Sequence, residues 1–148
     1  MKFLVTILFS VMLTSCPNNN NQNSQEDNSF VSVYQGRMNG SGNIEKQNKI
    51  VDSDNEWQSM LSKLNVSQNS IPTIDFSKST ILLLIDSVKN TGGYSVGVDS
   101  IKVEKNKMKV VVKYSGPKPT DMVTMAIEQP FHVIKINKTN KEIVFVTK

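Results

Sequence analysis

Residues 30–148 read as an α+β domain, a mostly antiparallel β-sheet core of about seven strands with one amphipathic helix. Three patterns give that class. Residues 81–85, Ile-Leu-Leu-Leu-Ile, form a continuous apolar run of strand length, as expected of a strand covered on both faces. Between Tyr94 and Tyr114 apolar and polar residues alternate, the period of strands with one buried face. Across residues 54–64, Trp57, Met60, Leu61 and Leu64 recur at helical spacing and make one apolar stripe.

The elements follow in order. Phe30, Val31, Val33 and Tyr34 begin a first strand. Asn39-Gly40-Ser41-Gly42-Asn43 is rich in residues that accept positive φ and marks a turn, with residues 44–51 as the return strand. Ser53 with Glu56 three residues on fits a capping box for the helix. Asp52-Ser53-Asp54 is no calcium loop, because Trp57 stands where that loop needs glycine. Residues 65–70 are loop, and Pro72 marks a turn or edge. After 81–85, the apolar positions Tyr94, Val96 and Val98 are out of phase with Ile101 and Val103. A bulge near Asp99-Ser100 restores one buried face. Lys105-Asn106-Lys107 turns the chain into Met108, Val110, Val112 and Tyr114. The remaining strands are expected at 122–127, 131–136 and 143–146, all around a single core.

The N-terminus sets the compartment. Lys2 is a positive start, and residues 3–13 are apolar apart from Thr6 and Ser10. As a helix that run reaches roughly 16 Å, about half of a hydrocarbon layer of about 30 Å. It therefore reads as the apolar part of a signal peptide spanning residues 1–15. Leu13-Thr14-Ser15-Cys16 resembles the bacterial lipobox. That resemblance implies diacylglycerol on the Cys16 sulfur and an N-acyl chain after cleavage, with no other cofactor. Two or more acyl chains hold a protein firmly where one holds marginally. Pro17, rather than Asp, follows the cysteine, so the inner-membrane retention signal is absent and the outer membrane is the expected location. Residues 17–29 contain no aliphatic or aromatic side chain. With Cys16 they form a flexible Asn/Gln-rich tether, reaching roughly 20 Å as a coil.

Composition removes several chemistries. One Cys excludes an internal disulfide and a Cys-rich zinc site, and one His excludes a multi-His metal centre. The formal charge of +4 rests almost wholly on lysine, Arg37 being the only arginine; base readout of nucleic acid is not expected. His132 lies in an apolar strand segment, where a hydrogen-bonded structural role is usual, and a serine nucleophile would need it within reach together with an orienting group. No nucleophile elbow or phosphate loop occurs. The chain is not expected to be an enzyme. Lys102, Lys105, Lys107, Lys109 and Lys113 read as a soluble strand surface that resists edge pairing; attraction to an acidic partner is the alternative.

Two loops stand out. Thr91, Gly92, Gly93 and Tyr94 place paired glycines directly before a strand, where backbone can take positive φ or approach another surface closely. Ser115-Gly116-Pro117-Lys118-Pro119 is a stiff turn, with Pro117 and Pro119 each fixing φ. Turn chemistry explains both; so does a rigid loop set that touches a partner.

These loops, taken with Ile74-Asp75-Phe76, Thr91-Gly92-Gly93-Tyr94-Ser95-Val96 and Pro130-Phe131-His132-Val133-Ile134-Lys135, resemble the C-terminal domain of protease-complex subunit PrcB proteins. Ser41-Gly42 and Glu56-Trp57 are similar to that family's preceding turn and helix, so the likeness spans residues 36–148. It implies a non-catalytic, membrane-anchored accessory subunit that binds an exported protease or another envelope protein. Thr91, Gly92, Gly93, Tyr94, Pro117 and Pro119 are then the candidate contacts. A looser likeness joins Thr91-Gly92-Gly93-Tyr94 to a wedge loop of chagasin-like protease inhibitors, although the preceding Asn-Pro and the Arg-Pro-Trp loop are missing. A small-ligand-binding lipoprotein is a third reading, requiring a sizeable apolar pocket.

Overall fold

The computed structural model describes residues 29–39 and 44–148. The signal segment, Cys16 and nearly all of the tether lie outside the described residues. The elements run β1 (Val31–Asn39), β2 (Gln47–Val51), α1 (Asp54–Leu64), one 3₁₀ turn (Gln68–Ser70), β3 (Ser79–Ile85), β4 (Ser95–Glu104), β5 (Lys107–Ser115), β6 (Glu128–Asn137) and β7 (Glu142–Thr147). They build a four-stranded sheet ordered β1-β6-β3-β2 and a three-stranded sheet ordered β4-β5-β7.

Every residue of β3 is buried, and the reason is visible in its alternation. Ile81, Leu83 and Ile85 join Phe131 and Val133 against Trp57, Met60, Leu61 and Leu64 of α1. Leu82 and Leu84 join Ile134 and Ile136 against Val96, Ile101, Met108, Val110 and Val112 of the second sheet. A strand that is apolar at every position serves both faces of its sheet. The expected single core is therefore two apolar layers, one on each side of the larger sheet.

The helix bounds match the pattern, but its cap does not. Trp57 N–H donates to Ser53 O at 3.0 Å, while the Ser53 side chain makes no capping bond. Glu56 pairs instead with Lys49 of β2 at 2.8 Å, so the capping box is replaced by a helix-to-sheet ion pair. The helix ends where Asn65 takes a left-handed φ of 54°, a conformation Asn tolerates well.

The sheets depart from the expected pattern in two places. Pairing is antiparallel throughout the larger sheet and between β4 and β5, but β5 and β7 are parallel. The short link 138–141 returns the chain from the end of β6, and β7 then runs beside β5 in the same direction. The register of β4 shifts between Val98 and Ser100, which is the expected bulge. Residues 122–127, expected as a strand, form none: the segment runs without turn or bend and joins no strand ladder of the described residues until β6 begins at Glu128. The strand expected at 131–136 starts earlier, so Pro130 lies inside β6, with its carbonyl accepting from Asp86 N–H at 3.0 Å.

Topology divides the molecule into two ends. At one, three links join β1 to β2, β3 to β4 and β5 to β6, of which residues 44–46, 86–94 and 116–127 are described. At the other lie the start of β1, the β4–β5 hairpin turn and the link into β7. The register Val31↔Lys135 and Asn39↔Glu128 puts the start of β1 at the end remote from the three links.

Candidate functional site

The three-link end is built around a buried carboxylate. As β3 finishes, Asp86 remains 1% exposed. Its oxygens meet Lys89 Nζ at 2.9 Å and Lys46 Nζ at 3.2 Å, and Ser87 N–H donates to Oδ1 at 2.8 Å. Burial pushes the Asp86 carboxyl up, but the bonds from Lys89, Ser87 and Lys46 outweigh it and hold the group below the ordinary carboxylate value. Each lysine also faces an aromatic ring: Lys46 Nζ lies 3.6 Å from the Tyr114 centroid and Lys89 Nζ 5.0 Å from that of Tyr94. Buried Gln129 joins the strands beneath, its Nε2 donating to Ile44 O at 2.6 Å and Asp86 O at 2.7 Å.

The next layer locks the two outer links together. Lys89 and Glu128 exchange both main-chain bonds, at 2.8 and 3.0 Å. Gly92 N–H donates to Thr124 O at 3.0 Å, and the Gly92 Cα sits so close to Thr124 Oγ1 that a Cβ would collide with it. Gly93 has φ +91°, the left-handed region that favours glycine, and packs toward Pro117. A Cβ on Gly116 would come within 2.7 Å of Tyr94 Cε1. The paired glycines and the proline turn, separate in sequence, are thus one contact.

Five of the six candidate loop residues meet here. Gly92 is buried, Thr91, Tyr94 and Pro117 are half-buried, and Gly93 is exposed. Pro119 stands apart on the exposed turn in which Asp121 N–H donates to Lys118 O at 3.0 Å. Cys16 lies outside the described residues. The outward surface belongs to residues that sequence reasoning placed in a strand. Met122 is fully exposed, Met125 91% and Ile127 58%. The signal was present in the run Met-Val-Thr-Met-Ala-Ile, but apolar residues at nearly every position resemble a core strand. Beside this surface, Gln35, Arg37, Tyr94, Ser95 and Pro130 line an open cleft of about 490 Å³. Arg37 Nε lies 3.4 Å from Glu128 there.

His132 is elsewhere, between the sheets. Its Nε2 is 2.8 Å from Ser32 Oγ, so a serine does reach it. Its Nδ1 is buried without a partner among the described residues, and a Cβ on Gly97 would stand 3.5 Å from it. None of the described carboxylates orients the ring, the third member a Ser-His pair needs. Burial lowers its pKa and favours the neutral imidazole. Among the described residues no group of three or more His, Cys, Asp or Glu is placed to hold a metal, and no helix is long and apolar enough to cross a membrane.

Residues 80–137 match the protein family described as PrcB C-terminal. The match runs from β3 through β6 and includes the whole Gly92–Gly93–Pro117 contact and residues 122–127. It is shorter than the likeness expected over residues 36–148, leaving out Ser41-Gly42, Glu56-Trp57 and Ile74-Asp75-Phe76. The chain thus resembles the PrcB C-terminal family over residues 80–137, which supply two of the three links. No curated protein and no solved structure matches the chain.

Proposed function

We propose that this protein is a non-catalytic, lipid-anchored accessory subunit of the cell envelope, whose three-link end binds an exported protease or another envelope protein. The carrying observation is the placement of the apolar, exposed residues Met122, Met125 and Ile127 on links locked by Gly92, Gly93 and Pro117. Binding residues gather on loops that a scaffold holds in place. The chain enters β1 at the opposite end, so a tether from a lipidated Cys16 leaves this end facing away from the membrane. The family match supports the protease side of the reading, since it covers the same loops.

Capture from native membranes tests it, using the full chain and Gly93→Val. Valine at φ +91° is strained and would push on Pro117, so loop geometry changes where anchoring does not. The wild type should recover a discrete exported partner and the variant should lose it. Equal recovery by both, or by neither, refutes the binding role of this end. Anchoring is tested separately: Cys16→Ala should abolish incorporation of labelled palmitate and release the protein from the envelope fraction.

A further inference from the structure

The segment 122–127 has two properties that rarely coincide in a folded domain. Its apolar side chains face outward. Met122 is fully exposed, and Val123, Met125 and Ile127 are 37%, 91% and 58% exposed; Thr124 and Ala126 are exposed as well, although Thr124 Oγ1 lies against Gly92. The segment therefore reaches solvent along its whole length, and the row Val123, Met125, Ile127 is apolar throughout. Its backbone is also little used among the described residues. None of the six N–H groups from Met122 to Ile127 donates to another described residue, and of its carbonyls only Thr124 O accepts a main-chain bond from one, Gly92. The segment is nevertheless pinned at its middle by Gly92 and at its end by the Lys89–Glu128 exchange, so its course is set before any partner arrives.

We infer that residues 122–127 are a donor strand, which adds to the unpaired edge of a β-sheet in the partner and seats Val123, Met125 and Ile127 in apolar pockets along that edge. This rests on the binding role given above and specifies its mode. Two observations select the occupant. A lipid surface accepts apolar side chains but leaves main-chain N–H groups unpaired; a sheet edge satisfies both. The described chain also begins next to the start of β1, at the far end of the sandwich, and in the proposed lipoprotein only a short tether from Cys16 precedes it. A membrane anchor on them draws the opposite end, not this one, toward lipid.

The test uses the full chain in native envelopes, with a photo-reactive residue at Met125 and, separately, at Pro119. Val123→Pro and Val123→Thr are made in each background. Thr124 and Glu128 direct their main-chain groups to the 86–94 link, so along an extended chain Val123, Met125 and Ile127 direct theirs to the open edge. Proline at 123 removes one N–H on that edge and blocks strand pairing; threonine preserves it. Met125 should cross-link to a peptide on an edge strand of the partner, and Val123→Pro should lower that adduct roughly tenfold or more relative to Val123→Thr. Met125→Asp, at a fully solvated position, should weaken capture equally, and it serves if the proline variant does not fold. In the free protein, amides of residues 122–127 should exchange within about tenfold of unprotected rates. Adducts to lipid, to a second copy, or to a partner surface away from a sheet edge overturn the inference. So does indifference to both substitutions, or protection of these amides in the free chain. If Pro119 captures a partner while Met125 does not, the binding role stands and strand donation falls; silence at both positions refutes both.

Discussion

Alanine at position 92 tests the locking of the two links directly. The Gly92 backbone is not in a left-handed conformation, so alanine carries no φ penalty there; what it meets is Thr124 Oγ1. Thr124 can respond by rotating its hydroxyl or by letting the segment move away. The first places a methyl or hydroxyl in poorer contact, and the second breaks the 3.0 Å bond from Gly92 N–H to Thr124 O. Overpacking costs typically 1–3 kcal/mol, and rotation is open to threonine, so about 1–2 kcal/mol is expected. Thr124→Ala removes the obstructing atom while leaving Cβ, which sits at an ordinary 3.6 Å from the added methyl. The double variant should therefore recover about 1 kcal/mol or more relative to the sum of the singles. Denaturant unfolding followed by Trp57, the only tryptophan and 3% exposed, measures all four proteins. A neutral Gly92→Ala, or a double variant that is simply additive, refutes the packing argument.

Four further outcomes follow from the same structure. Asp86→Asn leaves Lys46 and Lys89 without their shared charge and should destabilise the fold by about 2 kcal/mol, below the full cost of breaking a buried pair because both lysines reach water. Because the Asp86 carboxyl is held below its ordinary value of 3.8, its stabilisation is present above that pH and lost as pH falls through the lowered value; Asp86→Asn should flatten the acid limb of stability against pH. His132 behaves alike in sign: its folded pKa lies below 6.5, so the unfolded chain takes up a proton first and stability falls as pH drops below about 6.5. The imidazole NMR signal of the folded chain should titrate below that value, and a midpoint at or above it contradicts the burial argument. Gly116→Ala drives a methyl into the Tyr94 ring and should cost about 1–3 kcal/mol in unfolding experiments, with Tyr94→Ala removing most of the penalty.

Period and run length carried most of the fold in the sequence. The helix at Asp54–Leu64, the buried strand at 81–85 and the β4 bulge are each stated by local spacing, because burial on one face, or on both, is a local pattern. The parallel β5–β7 pair is not local: it depends on which sheet the chain enters after Asn137, and residues 138–141 do not encode that. The division into two apolar layers was implicit in the unbroken run 81–85, since a strand apolar on both faces must have something on each side. Segment 122–127 misled for the converse reason. Apolar content signals burial only when another element covers it, and here none of the described residues does. At the site, the special backbone at Gly93 and the stiff turn at Pro117 were legible separately. Their contact was not, because some two dozen residues separate them and only the β4–β5 hairpin brings them together. Asp86 and Gln129 were missed because isolated polar residues at strand ends look like ordinary surface positions.

One end of the sandwich is assigned to the partner and the other to the anchor. Photo-reactive residues at Tyr94 and Met125, on the three-link end, and at Asn106, in the opposite hairpin turn, compare the two in intact envelopes. Adducts with one exported protein from Tyr94 and Met125, and none from Asn106, are the predicted result. Adducts from Asn106 alone, or in equal yield from all three positions, would contradict it.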